Sequence, residues 1–463
     1  MNPNQTINHA LAQHTTKAPT YDMYRDYENG QHQHPYGSPL FRKKYAWIVN
    51  SARLNMCRRV RTNYSDLVRI QEWRGTNPDQ AEAIADTARF SKALTLTIAE
   101  AFRTGDAYIL IWPDTTGTPA PWFHRAEQIY TIPNPEHPGQ HQAAIKLWAD
   151  PAGYGRANIY TTQNVQRFTT TTKVQDDPNT APNWGLPDTL NWLPYTGDGE
   201  PDTIPHNFGK VPVIHIAYDP QYDGGPGRSI LDDVIPLQDA LNHAVHALVV
   251  ETEDYAHQLR VVTGYEPEVR INPSTGDMET QPMRMDPSTN RAYAFAGENV
   301  RVTQLDPPDP AGLLSLKREL QANIAQVAGI PVSDIAPDLG NIPSGAALRT
   351  LAATRTNAVR DFTTSITDDI AQLMELLGAP GNYPVWVDPA PTDEAERTDT
   401  AKTLVEMGVP LQEVLTSLAG YSSEDVERIM GIINTGETAL AAAGRELLTT
   451  REVMHGIERT AQS

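Results

Sequence analysis

The chain has 463 residues, with 37 Lys+Arg against 57 Asp+Glu, a formal net charge of −20 and a single cysteine. That length implies two or three structural units. The acidic balance argues against wrapping nucleic acid by tight phosphate neutralisation, though not against a surface that DNA slides past. One cysteine excludes an internal disulfide framework and suits a reducing compartment. The chain has no apolar run of about 18 residues and no hydrophobic N-terminal region, so neither a membrane span nor a signal peptide is expected.

Charge is unevenly placed. Residues 41–74 carry nine basic and two acidic side chains, whereas residues 388–463 carry 14 acidic and six basic. Such runs read as solvated faces or as complementary charge towards a neighbour, and composition does not choose between the two.

The first forty residues are polar and rich in His, Gln, Asn and Tyr, and read as an arm. His9, His14, His32 and His34 match no metal-ligand spacing and are assigned a structural role. A helix is expected over Leu40–Val60 with Tyr45, Ile48, Val49, Ala52 and Met56 inward. A second starts at Asn77-Pro78-Asp79 and runs through Ile84, Ala88, Leu94, Ile98 and Phe102 to Gly105. Cys57, beside Arg58 and Arg59, has no partnering base and reads as a small inward residue.

From Asp106 the period becomes that of strands: 107–112, 143–150, 157–162, 165–172 and 211–217, separated by turns such as 114–117 and 151–153. A Pro- and Asp-rich insertion occupies roughly 175–206. His137 and His141 are four apart, but Pro138 and Gly139 forbid the helix that would aim both at one metal.

The segment 223–229, DGGPGRS, superficially resembles a phosphate loop. It has no Lys, and Pro226 removes an amide donor, so it reads as a tight turn. It releases a helix at about 229–256 whose apolar stripe is Ile230, Val234, Leu237, Leu241, Val245 and Leu248. Asp232, Asp233, Asp239, His243 and His246 lie on the opposite, wet face. Ser229 reads as its cap, and Pro236 as a kink.

Short strand-like pieces follow within 257–300. A helix opened by Asp309-Pro310 then carries Leu313, Leu316, Leu320, Ile324 and Val327 and closes at Gly329 and Pro331. Beyond a loop at 330–344, a third helix is expected over about nine turns, its face marked by residues from Leu348 to Leu377. The region 388–463 reads as three or four short helices, the first capped by Thr392 and a later one by Ser422-Ser423. No triphosphate loop, nucleophile elbow or zinc motif is found; no catalytic residue, metal or cofactor is expected.

Several segments in order resemble the portal proteins of long-tailed (siphophage-type) tailed bacteriophages: GDAYILIW (105–112), IYTTQNVQRF (159–168), GKVPVIHIAYDP (209–220), the run 227–264, IPSGAALR (342–349) and EMGVPLQEVLTSLAGYSSEDVERIM (406–430). The resemblance implies an α+β portal-protein fold with a long helical stem and wing spine, a small, mostly antiparallel wing, a strand-containing clip and a helical C-terminal crown. On this chain it places an N-terminal arm at 1–40, a wing at 41–226 with its spine helix at 345–387, and stem helices at 227–256 and 301–329. The clip falls at 257–300, a tunnel loop at 330–344 and the crown at 388–463.

It further implies a homo-oligomeric ring, a dodecamer, at the capsid portal vertex of a virion made in the bacterial host cytoplasm. Double-stranded DNA would pass through it without catalysis. Partners would be the terminase large subunit, the head–tail adaptor, and the major capsid and scaffolding proteins, with no membrane. Candidate channel residues of the tunnel loop are Val332, Ser333, Asp334, Ile335, Asp338, Leu339 and Asn341, and of the stem Asp232, Asp239, His243, Lys317 and Arg318. Candidate partner-binding residues of the clip are Glu268, Arg270, Asp277 and Arg284. A loop with Asp334 and Asp338 and no basic residue avoids braking the DNA. Lys317 and Arg318 could touch phosphate transiently or bridge to Asp232 or Asp239 of an adjacent subunit. Competing readings are another head–tail connector ring or a metal-dependent hydrolase.

Overall fold

The chain opens on a helix that its residue pattern conceals. α1 (Pro3–Glu28) starts at Asn2, whose side chain accepts from the Asn4 amide at 3.1 Å, with Pro3 where a missing N–H costs nothing. The expected polar arm is therefore a 26-residue helix over most of its length, and it is packed. Ile7, Ala10 and Leu11 enter one apolar cluster, and Tyr21, Tyr24 and Tyr27, three apart on one face, enter another. This computed structural model describes residues 2–32, 53–137, 139–177, 182–184, 190–197, 199–222, 224–256, 260–263, 269–271, 273, 275–280, 292–295, 299, 301–304, 310–336, 345–390, 394–417 and 426–433.

Of the helix expected at 40–60, residues 40–52 lie outside the described residues and 53–55 are not helical; α2 (Met56–Ser65) starts only at Met56, capped by extended Asn55, and runs past Val60. Cys57 is fully buried, and burial, with Asp239 nearby, pushes its thiol up to about 12. β1 (Ile70–Gly75) follows. The single helix expected from Asn77 to Gly105 is two, α3 (Pro78–Ala85) and α4 (Ala88–Thr104). The Thr87 hydroxyl accepts from the Phe90 amide at 3.3 Å and starts a new helix where the apolar spacing alone runs on.

β2 (Asp106–Pro113) and β3 (Pro119–Arg125) pair antiparallel. Next come β4 (Ile129–Pro133), β5 (His141–Ala149), β6 (Tyr154–Tyr160) and β7 (Asn164–Lys173). The 175–206 insertion contributes β8 (Trp192–Pro194) and β9 (Thr203–Pro205), both on β7. These make a six-stranded antiparallel sheet ordered β4-β5-β6-β7-β8 with β9 also on β7. β10 (Val213–Ala217) returns to β2 and closes a three-stranded sheet β10-β2-β3.

Gly105 and Gly227 cross backbone to backbone. Gly105 closes α4 at φ +91°, and a Cβ on Gly227 would lie 2.0 Å from its carbonyl oxygen. The turn at 223–229 spends its amides here: Gly227 donates to Asp106 Oδ1 at 2.9 Å, Arg228 to the Tyr218 carbonyl at 2.7 Å, and Ile230 to the Phe102 carbonyl at 3.1 Å. Those three donors are committed to the protein, which accords with a turn and not an anion cradle.

α5 (Ile235–Ala256) is the first long helix after that turn. It starts six residues later than expected, because 230–234 form turns. Ser229 therefore caps a turn, its hydroxyl accepting from the Leu231 amide at 3.0 Å. Pro236, expected as a kink, stands in the first turn of α5, where it is tolerated.

β11 (Arg260–Thr263), β12 (Val269–Ile271), β13 (Met278–Thr280), β14 (Ala292–Phe295) and β15 (Arg301–Gln304) come next. β11 pairs parallel with β14 and antiparallel with β15, and β12 pairs with β13. Residues 301–304, placed with the stem from sequence, thus belong to the strand excursion. α6 (Ala311–Val327) returns against α5, and the short α7 (Val332–Ile335) follows.

The nine-turn helix expected beyond it is α8 (Gly345–Ser365) and α9 (Thr367–Leu376), parted at Ile366. β16 (Asn382–Trp386) pairs antiparallel with β1, more than 300 residues back in the chain. These elements, apart from residues 345–349, form one unit. Residues 345–349 and 390–463 form a second. There α10 (Glu394–Glu406), α11 (Leu411–Ser417) and a helical stretch at 426–433 are described, with Gly408 at φ +93° between the first two. The expected caps Thr392, Ser422 and Ser423 lie outside the described residues.

Candidate functional site: the long helix pair and the loop root

The pair α5–α6 is apolar where it packs and polar at a second, deeper layer. Leu241, Ile324 and Ala325 are fully buried, with Leu237, Val245 and Leu320 packed against them. Beside this stripe Gln238, Asn242 and His246 of α5 are buried too, although His246 was expected on the wet face. Gln238 Oε1 accepts from the Met56 amide at 2.9 Å, while its Nε2 donates to the Leu54 carbonyl at 2.6 Å. Asn242 Nδ2 meets His32 Nδ1 at 2.7 Å, and His32 Nε2 meets the Tyr27 carbonyl at 2.8 Å. A carbonyl can only accept, so the neutral ring carries its proton on Nε2; burial, the largest influence, lowers its pKa and favours that neutral form.

α1 covers part of the face read as wet. The Tyr24 hydroxyl donates to Asp232, and the Tyr27 hydroxyl donates to both oxygens of Asp239 at 2.8 and 2.9 Å. Burial raises the Asp239 pKa, against the lowering effect of Tyr27. Asp232 also takes Arg228 at 3.2 Å. Of the stem candidates on α5, His243 is exposed.

α6 is different. Leu314, Leu316 and Val327 are 44, 43 and 50% exposed, Arg318 is exposed and Lys317 half-buried. Leu316 and Val327, eleven residues apart, share one face, and an amphipathic helix that leaves such residues in water has an unsatisfied flank.

The root of the 330–344 loop is gripped by α2. Tyr64 donates to the Ala328 carbonyl at 2.6 Å, and Arg59 Nε donates to the Asp334 carbonyl at 2.9 Å. Arg355 of α8 pairs with Asp334 Oδ2 at 2.7 Å and donates to Asn63 Oδ1 at 2.7 Å. Gly329, at φ +65°, makes the turn before it. Ile335 is buried. The root therefore corrects the sequence reading: Asp334 is ion-paired and Ile335 faces the core, while Val332 and Ser333 are exposed. Asp338, Leu339 and Asn341 lie outside the described residues.

Among the strand-excursion candidates, Arg270 sits in β12 opposite Glu279, and Asp277 is exposed in the turn before β13. Glu268 and Arg284 lie outside the described residues. Sequence reasoning missed the part played by α2. Its arginines and tyrosine gave a charge signal, but their partners stand some 270 residues onward.

A family model described as "Phage portal protein, SPP1 Gp6-like" matches residues 8–431. The chain belongs to this portal family. The family's α+β fold agrees with the mixed helices and sheets described above. No curated protein matches the chain. Among solved structures, the chain is similar to one from the virion of a native gene transfer agent (GTA) particle, at 13% identity, covering 82% of this chain and 93% of that one with a TM-score of 0.45. It is also similar to one from the neck of a native GTA particle computed with C12 symmetry, at 14% identity, 78% and 88% coverage and TM-score 0.43. Among the described residues no helix is long and apolar enough to cross a membrane.

Proposed function

We propose that this portal-family chain assembles into a homo-oligomeric ring at the capsid vertex, with α5 and α6 as the wall of a channel for double-stranded DNA. The ring acts as a conduit and not as a catalyst; it docks the terminase large subunit during packaging and the head–tail adaptor afterwards. One observation carries the reading: α6 is sealed against α5 along Ile324 and Ala325 yet leaves Leu316 and Val327, which share a helix face, exposed on one flank. A neighbouring copy would bury that flank, and a ring repeats the contact without leaving an open end.

The strand excursion β11–β15 lies at the far end of both helices and serves as the clip that meets terminase and adaptor, through Arg270 and Asp277 among the described candidates. The 330–344 segment is the tunnel loop, held at its root by α2 and Arg355, so that the DNA-facing part is left to residues beyond Ala336. Lys317 and Arg318 supply weak phosphate contact at most, since each firm contact would add a salt-dependent brake.

Negative-stain imaging and native mass measurement test the ring. Closed rings, alone or with capsid and scaffold present, are expected; a chain that stays monomeric under all those conditions refutes the reading. Deleting 337–342, with Asp334 and Arg355 kept, should preserve rings and reduce DNA packaging. Undiminished packaging removes the tunnel-loop assignment.

A further inference from the structure

Away from the helix pair, the six-stranded sheet and the β10-β2-β3 sheet enclose a cleft of about 690 Å³ between them. That volume is in the range of small-molecule sites. Its walls are aromatic: Trp112 and Trp122 on one side, Trp148 and Tyr160 on the other. Trp112 meets Tyr160 with ring centroids 6.0 Å apart. Strand alternation puts Lys146 and Trp148 of β5 on the same face as Arg156 and Asn158 of β6, with Lys146 opposite Asn158 and Trp148 opposite Arg156.

The cations in this cleft are incompletely satisfied. Lys146 is half-buried and has no ion-pair partner among the described residues; its ammonium lies 5.2 Å from the Trp148 ring. Burial alone lowers its pKa, since no carboxylate offsets it. Arg156 gives Nε and Nη2 to Asp150 at 2.9 and 2.6 Å and stacks on Tyr195 at 3.6 Å. Its Nη1 is buried and has no hydrogen-bond partner among the described residues. A buried guanidinium edge left unpaired costs free energy unless something supplies an acceptor.

We propose that this cleft binds a nucleotide, with its phosphate between Lys146 and the Nη1 edge of Arg156 and its base against the tryptophan wall. A phosphate monoester such as that of dAMP has three acceptor oxygens and carries about −1.5 to −2 charge, enough to serve an ammonium and a guanidinium at once. Indole faces stack on any base. The cleft is sized for one nucleotide and not for a duplex, so the ligand is either a free nucleotide or one unit of a single strand. No bond is made or broken.

Calorimetric titration of the full chain with dAMP, deoxyadenosine and a short single-stranded deoxyadenylate tests this. Saturable dAMP binding is expected, with deoxyadenosine weaker by roughly tenfold or more, the worth of one charge-assisted contact. Lys146→Met should weaken dAMP by a similar factor while leaving the melting temperature unchanged or higher, because an apolar stem replaces a buried cation. Trp122→Leu, at a wall residue 39% exposed, provides a second variant with little risk to folding. An oligonucleotide that binds tighter than dAMP assigns the single strand, and equal affinity assigns the free nucleotide. The proposal is overturned by absent saturable binding of both phosphate ligands, by affinities that neither variant changes, or by tighter binding of an acidic aromatic peptide such as Glu-Trp-Glu through the same residues.

Discussion

Two buried histidines and one buried carboxylate set how this chain responds to acid. His141 and His124 have pKa values lowered to about 4, chiefly by burial, with His215 and Lys146 respectively adding to it. The unfolded chain holds those protons from about 6.5 downward, so it gains protons that the folded chain refuses. Stability should therefore fall as pH drops from about 6.5 to about 4, as denaturant unfolding at several pH values would measure. His141→Leu should flatten part of that slope; an unchanged slope would place the effect elsewhere. Asp106 acts lower down. His215 Nε2 at 2.8 Å and the Gly227 amide at 2.9 Å outweigh its burial and hold its pKa below the usual carboxylate range. Its contribution is present above the ordinary carboxylate value and is lost as pH falls further, through the depressed folded value. At the loop root, Asp334→Asn should lower stability by about 1–3 kcal/mol in thermal melts, because Arg355, 12% exposed in its side chain, loses its counter-charge.

Whole elements depend on one close backbone approach, between Gly105 and Gly227. Gly105→Ala would put a Cβ 2.6 Å from the Gly227 backbone at φ +91°, and nothing on either side is a movable side chain. Gly117, at φ +85°, faces open space. Gly117→Ala should cost only about 1 kcal/mol, from the conformation alone. Gly105→Ala should cost several-fold more, or prevent soluble expression, because α4, β2 and the turn that leads to α5 meet there. The two melts compared settle it. This crossing also shows what sequence can and cannot convey. β2 was legible because its apolar run is continuous, and α5 because its stripe recurs at three and four. β1, IQEWRG, was not: it is charged, and its partner β16 lies more than 300 residues away. β3, PAPWFHR, carries prolines that mask an edge strand. α1 has no apolar stripe, since tyrosines bury their rings while their hydroxyls answer aspartates on a distant helix. For the same reason the wet face of α5 was only half right: Asp232 and Asp239 look solvated until α1 is in place.

At the level of the whole molecule, the exposed flank of α6 is the feature that a lone chain does not explain. Leu316→Glu with Val327→Glu removes apolar surface that the isolated chain already exposes, so its melting temperature should change little. Ring formation should fail, because two carboxylates would enter each of the repeated contacts. Intact rings from the double variant would move the subunit contact off α6.

The tyrosines of α1 also constrain the order of events during synthesis. Tyr24 and Tyr27 reach partners 208 and 212 positions onward, so α1 must wait until some two hundred further residues have been translated. Contacts of such long sequence separation form late, and apolar surface left waiting invites aggregation. A polar, tyrosine-faced helix can wait in water at little risk. The residue pattern that hid α1 from the sequence reading is thus the pattern that lets it emerge well before its partners and dock once they arrive.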